Sequence, residues 1–70
     1  MSKSKIRIIG FTSWKIYNGD KLIGNMMLDD KSLLRVYIDE QVRTPILELE
    51  IAKKIQEDKR FSAYNVWFKR

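Results

Sequence analysis

The chain has 70 residues, of which 14 are Lys or Arg and 9 are Asp or Glu, so its formal charge is +5 and its sequence pI is about 9.7. This length fits one small domain, and an apolar content of 44% is ordinary for a chain that folds. Because the sequence contains no Cys and no His, it lacks thiolate nucleophiles, disulfides, Cys/His zinc sites and the usual neutral-pH general base. We therefore expect a noncatalytic protein without a metal or another cofactor.

Size and the first residues set further expectations. A domain this small buries only about 60% of the surface of its unfolded chain, which favours extra stabilisation by self-association as a homodimer. No apolar run approaches the roughly 20 residues of a membrane helix. Residues 1–4 read as a flexible basic tail that leads into alternating residues instead of a signal peptide. These features predict no membrane partner and a cytoplasmic location.

The first half of the chain has the periodicity of strands. Apolar and polar residues alternate through most of Lys5 to Tyr17, and the break at Gly10 predicts a bulge or bend within this first strand. Asn18-Gly19 is a strong hairpin signal, because a two-residue type I′ turn needs positive φ at both central positions. A second strand, about Asp20 to Leu28, should fold back antiparallel.

The second half predicts a strand, a helix and a strand. Ser32 to Ile38 alternate as a third strand. Thr44 and Pro45 suit the start of a helix, which the composition extends to about Lys59. A short aromatic strand follows over Ser62 to Lys69. The apolar residues expected to turn the helix toward a sheet are Leu47, Leu49, Ile51, Ala52 and Ile55.

These elements predict an α+β fold in a single domain over residues 1–70. Their order is β-β-β-α-β, with a mostly antiparallel single sheet and one helix packed on one of its faces. The third strand, the helix and the last strand can form a parallel crossover, although the pattern does not fix the strand order.

Positive charge and aromatic rings concentrate at the two ends of the sequence. Residues 1–19 and residues 59–70 each carry a net charge of +4, whereas the residues between them carry −3. Most of the aromatic residues lie in the same terminal segments. We expect the first and last strands to be neighbours and to combine their cations and rings on one exposed surface.

Alternation assigns a set of basic and aromatic residues to the sheet face away from the helix. Cations displace counterions from phosphates and flat rings stack on unpaired bases, so this set predicts binding of DNA or RNA. We name the set the basic-aromatic face; it consists of Lys5, Arg7, Lys15, Tyr17, Arg35, Tyr37, Trp67 and Lys69.

A purely structural interpretation of this face stays open. Lys and Arg on an exposed edge discourage strand addition by another molecule, and aromatic residues are good strand formers. The sequence contains neither an aromatic RNP segment nor a Gly-x-x-Gly loop, which are nucleic-acid fingerprints.

An apolar patch favours a different class of partner. Counting back from the predicted turn pairs Lys15 with Leu22 and Phe11 with Met26, which places Leu22 and Met26 outward. A bulge at Gly10 or Gly24 would instead turn these side chains inward. If exposed, the patch suits a larger protein or a second copy of the chain; its residues are Phe11, Leu22, Met26, Leu33 and Trp67.

Two functions therefore follow from the sequence. The first is a nucleic-acid-binding module that uses the basic-aromatic face. The second is a protein-binding module or small inhibitor, of a kind common in phages and mobile elements, that docks through its apolar sheet face or an edge strand. Asp29-Asp30 reads as a turn and not as a metal site, because two adjacent carboxylates are weak ligands without further acids.

Overall fold

The computed structural model describes residues 5–69, so the predicted tail at residues 1–4 lies outside the described residues. Over the described range the elements are β1 (Ile6–Gly10), β2 (Ser13–Asn18), β3 (Lys21–Leu28), β4 (Leu33–Ile38), α1 (Pro45–Glu57) and β5 (Asn65–Phe68). They form one five-stranded mixed sheet with one helix, which confirms the predicted α+β class. The order is β-β-β-β-α-β, with one more strand than predicted.

The additional strand arises because the predicted first strand is a hairpin. The chain reverses after Gly10, and Gly10 pairs with Trp14 at the end of the β1–β2 ladder. Gly10 has a φ of +154°, and a Cβ there would lie 2.0 Å from the backbone oxygen of Ser13. Only glycine accommodates such a close approach of the two strands. The bend expected at Gly10 is thus a full reversal.

The sheet order is β1-β2-β3-β4-β5. Hairpins join the first four strands as antiparallel neighbours, and α1 is the connection that returns the chain to place β5 parallel to β4. The expectation that the first and last strands are neighbours is wrong, because three successive hairpins carry β1 to the opposite edge. Four strand spacings of about 4.8 Å separate the two edges by about 19 Å.

The β2–β3 hairpin contains a bulge that changes which side chains face outward. Tyr17 pairs with Leu22, but Ile16 pairs with Gly24, so Ile23 is the additional residue on β3. The turn lies at Gly19-Asp20, because Asn18 pairs with Lys21, and Gly19 has a φ of +66°. Glycine at the first central position is typical of a type II′ turn instead of the predicted type I′.

Met26 is consequently buried, contrary to its predicted place in the exposed patch. The bulge shifts the alternation of β3 by one residue, so Met26 pairs with inward-facing Trp14 instead of Phe11 and is 0% exposed. Lys15 pairs with Asn25 and not with Leu22. Met27 takes the outward position and is 42% exposed.

The core lies between the inner face of the sheet and α1. Thr44 caps the helix by accepting a hydrogen bond from the Leu47 amide at 3.1 Å, as predicted. Leu49, predicted to face the sheet, is exposed because the helix turns it toward solvent. Trp14 and Phe61 meet edge to face at 5.1 Å. The buried core consists of Ile6, Ile8, Trp14, Ile16, Ile23, Met26, Leu34, Val36, Ile38, Ile51, Ile55 and Phe61.

Within residues 5–69, α1 falls short of the length and apolar character that a membrane-crossing helix requires.

Substitution of the two adjacent methionines tests the register of β3. Met26→Ala should reduce the free energy of unfolding by about 2–5 kcal/mol, because it empties a fully buried site. Met27→Ala is the matched control and should change it by about 0.5 kcal/mol or less, as expected at an exposed position. Urea denaturation followed by tryptophan fluorescence measures both; equal losses would contradict the bulged register.

Candidate nucleic-acid interface

The strand register brings the basic-aromatic face together on the side of the sheet opposite α1. Arg7 pairs with Tyr17, and Arg35 pairs with Trp67, which puts each pair on one face. Lys15 connects the two halves, because it pairs with Asn25, which in turn pairs with Tyr37. Lys5 and Lys69 continue the alternation beyond β1 and β5. The predicted residues share a face although their strands occupy opposite edges.

One cation–ring pair lies at the β1 edge. The Arg7 guanidinium carbon is 5.6 Å from the centre of the Tyr17 ring, within reach of a cation–π attraction. Arg7 Nη2 also donates a hydrogen bond to the Gly19 carbonyl at 3.0 Å. The hairpin turn therefore holds the arginine head against the ring, with several donors still directed at solvent.

A larger cluster of cations and rings lies at the β4–β5 edge. Arg35 lies over Trp67 at 5.5 Å, and Lys69 lies over Tyr37 at 5.8 Å. The two rings meet edge to face, with centres 6.5 Å apart. Two cations and two rings thus form one contiguous surface.

Asp29 in the β3–β4 turn positions Arg35. Its Oδ1 accepts hydrogen bonds from the amides of Lys31 and Leu33, and its Oδ2 accepts one from Arg35 Nε at 3.2 Å. The hydrogen bond from the Leu33 amide is the largest cause that lowers the pKa of Asp29 below its ordinary 3.8; burial opposes it in part, and the Lys31 amide and Arg35 lower the pKa further. The same ion pair raises the pKa of Arg35. Asp29 is therefore a turn residue that orients a cation.

The sheet and its surroundings differ in charge. None of the five strands contains Asp or Glu, whereas β1, β2, β3 and β4 contain Arg7, Lys15, Lys21 and Arg35. Between residues 5 and 69 every acidic residue lies in α1 or in a connection. The outward face is therefore positive, with acid only at its margins.

An open groove of about 640 Å³ crosses β2, β3 and β4 between the two cation–ring clusters. Asp39 lies at its rim, where Oδ1 accepts a hydrogen bond from the Gln41 amide at 3.0 Å. Asn25 lies in the groove but is absent from the predicted site residues, although Asn is depleted in strands and is a signal where it interrupts a strand pattern. The outward-facing residues that line the groove are Ser13, Lys15, Leu22, Asn25, Met27 and Tyr37.

The predicted apolar interface is only partly on this surface. Phe11, in the β1–β2 turn, is 89% exposed, and Leu22 and Trp67 are also exposed. Leu33 is half-buried. Met26 belongs to the core and cannot contact a partner while the domain is folded.

Arg60 occupies the free edge of β1. Its Nη2 donates a hydrogen bond to the Ile8 carbonyl at 3.1 Å, and Asp58 and the Phe61 ring hold the guanidinium in place. A charged group on an edge strand prevents another strand from pairing there. This contact disfavours the edge-strand docking that the sequence left open, as far as β1 is concerned.

No group of three or more acidic residues that can hold a metal ion occurs in the described part of the chain. Comparisons with protein-family models, curated proteins and solved structures find no match for this chain.

Acid should destabilise the fold partly through Asp29. Because the folded state lowers the pKa of Asp29, the charged carboxylate stabilises the fold above its ordinary value of 3.8. That contribution is lost as the pH falls below 3.8 through the folded pKa. We expect Asp29→Asn to show a smaller drop in urea midpoint than the wild type over this range.

Asp30→Asn is the matched control for this measurement, since Asp30 is the exposed neighbour in the same turn. Its acid dependence should follow the wild type, with Asp58 supplying a further drop in all three proteins because Arg60 lowers the pKa of that carboxyl. Identical acid dependence in Asp29→Asn and the wild type would contradict the role of Asp29.

Proposed function

We propose that the protein is a small noncatalytic module that binds nucleic acid through the basic-aromatic face, in the cytoplasm. The observation that supports this most directly is the shared placement of its cations and rings on the side opposite α1, over strands that contain no acid. This combination suits nucleic acid, which is a polyanion whose bases have flat faces that stack on aromatic rings.

The cations of the face have two roles in this proposal. Lys5, Lys15 and Lys69 supply ammonium charges that neutralise phosphates and release counterions. Arg7 and Arg35 are held in place by the Gly19 carbonyl and by Asp29. Their remaining guanidinium donors are preorganised to anchor a phosphate at either end of the face.

The shape of the face favours an unpaired strand over a duplex. Proteins that recognise the major groove of a duplex insert a helix or a two-stranded ribbon into it. Here α1 packs on the far side of the sheet from the basic-aromatic face. The outward face offers rings at both edges, where Tyr17, Tyr37 and Trp67 can stack on successive bases. A single strand that crosses the sheet contacts both clusters.

Binding to a larger protein, or to a second copy, is the competing proposal, and the exposure of Phe11 and Leu22 favours it. Nucleic acid accounts better for Lys15 near the centre of the face, because protein interfaces are depleted of lysine at their centres. Sedimentation distinguishes the two: a dimer that Leu22→Ser converts to a monomer would support the apolar interface.

Charge reversal on the outward face should weaken binding. Lys15→Glu should lower the affinity for a labelled single-stranded oligonucleotide, and adding Arg7→Glu should lower it further. Each lost phosphate contact should reduce the slope of log affinity against log salt by about 0.7. Lys53→Glu, which makes the same charge change on an exposed residue of α1, should have a smaller effect on fluorescence polarisation. Equal effects, or no binding at low salt, would refute the proposal.

The Trp67 ring should stack on a base of the bound strand, and its fluorescence should change on binding. Trp67→Ala should cost about 1–3 kcal/mol of binding free energy for a single strand, because a stacked base loses its platform. Trp67→Phe keeps an aromatic surface and should retain most of the affinity.

Trp14 is buried, so quenching of tryptophan fluorescence by the bound strand should come from Trp67. The quenching should therefore disappear in Trp67→Ala and in Trp67→Phe. Full quenching in Trp67→Ala would contradict this placement of the strand.

A further inference from the structure

The centre of the outward face differs chemically from its edges. Lys15, Asn25 and Tyr37 lie side by side on β2, β3 and β4, in direct register across the groove of about 640 Å³. This volume lies within the range of about 300–1,000 Å³ that is common for small-ligand sites. The groove is therefore large enough to take a flat ring system.

The backbone of Asn25 pairs with both neighbouring strands, but its side chain adds no hydrogen bond within residues 5–69. It is exposed in the middle of β3, and its amide has no hydrogen-bond partner among residues 5–69. Asn is depleted in strands. A β-branched polar residue would keep this surface polar and would have a higher strand propensity. A residue that opposes the local preference without a structural gain is typical of a binding site.

The surroundings of Asn25 match a nucleobase better than a phosphate. Leu22 and Met27, both exposed, lie on either side of it along β3, and the Tyr37 ring lies beside it on β4. Among residues 5–69, Lys15 is the only cation that lines the groove, and Asp39 lies at the rim. Phosphates should therefore bind at the edges of the face, where most of the cations lie. The groove instead combines apolar walls with a polar amide.

We propose that this groove takes one unpaired adenine of the bound strand, and that Asn25 reads it; this inference rests on the proposed function. An Asn side chain has an NH₂ donor and a carbonyl acceptor, which pair with adenine N7 and with its N6 amino group. Leu22, Met27 and Tyr37 contact the faces of the ring. Lys15 contacts the phosphate of the same nucleotide.

The test uses the full chain and thymidine oligonucleotides of about ten nucleotides whose central base is adenine, guanine, cytosine or thymine. Fluorescence polarisation at low salt gives the affinity of each. We expect the adenine oligonucleotide to bind about tenfold more tightly than the all-thymidine one. Asn25→Ala should abolish this preference, so that the adenine and the all-thymidine oligonucleotides bind the variant with the same affinity.

Asn65→Ala is the matched control, because Asn65 is an exposed Asn on the same face, outside the groove. It should keep the adenine preference, and circular dichroism should show that both variants fold. Equal affinity for the four central bases, or a preference that survives Asn25→Ala, would overturn the inference and leave the proposed function intact. An absence of binding to every oligonucleotide would overturn both.

Discussion

Because strand side chains alternate between two faces, packing α1 and Phe61 against one face of the sheet leaves the opposite face to solvent. This burial is the main stabilising interaction available to a small chain without disulfides. It also determines where a ligand can bind, since the inner face is occupied by the core. Stability and the proposed function therefore use opposite faces of the same strands.

Contacts from two hairpin turns organise the outward face. Asp29 closes the β3–β4 turn and holds Arg35, while the carbonyl of Gly19 in the β2–β3 turn holds Arg7. Each turn thus fixes one arginine beside a ring of the adjacent strand. The centre of the sheet lacks such contacts, and Asn25 remains available there.

The strongest sequence signals were those that depend on neighbouring residues. Thr44 and Pro45 locate the helix start because capping needs only the first turn. The position of Phe61 in the core was not predicted, because its burial depends on a turn after α1 that brings it to Trp14. Leu49 was placed on the wrong side, because the face that a helix buries depends on its rotation against the sheet.

The sequence by itself determined the alternation of the strands, the helix and its cap, the concentration of positive charge at the chain ends, and the lack of Cys and His. Only the tertiary structure decided that β1 and β5 lie at opposite edges, that Met26 faces inward, and that a groove forms around Asn25. The reason is physical: strand order and a one-residue bulge depend on hydrogen bonds and packing between distant segments. Periodicity within one segment contains no information about them.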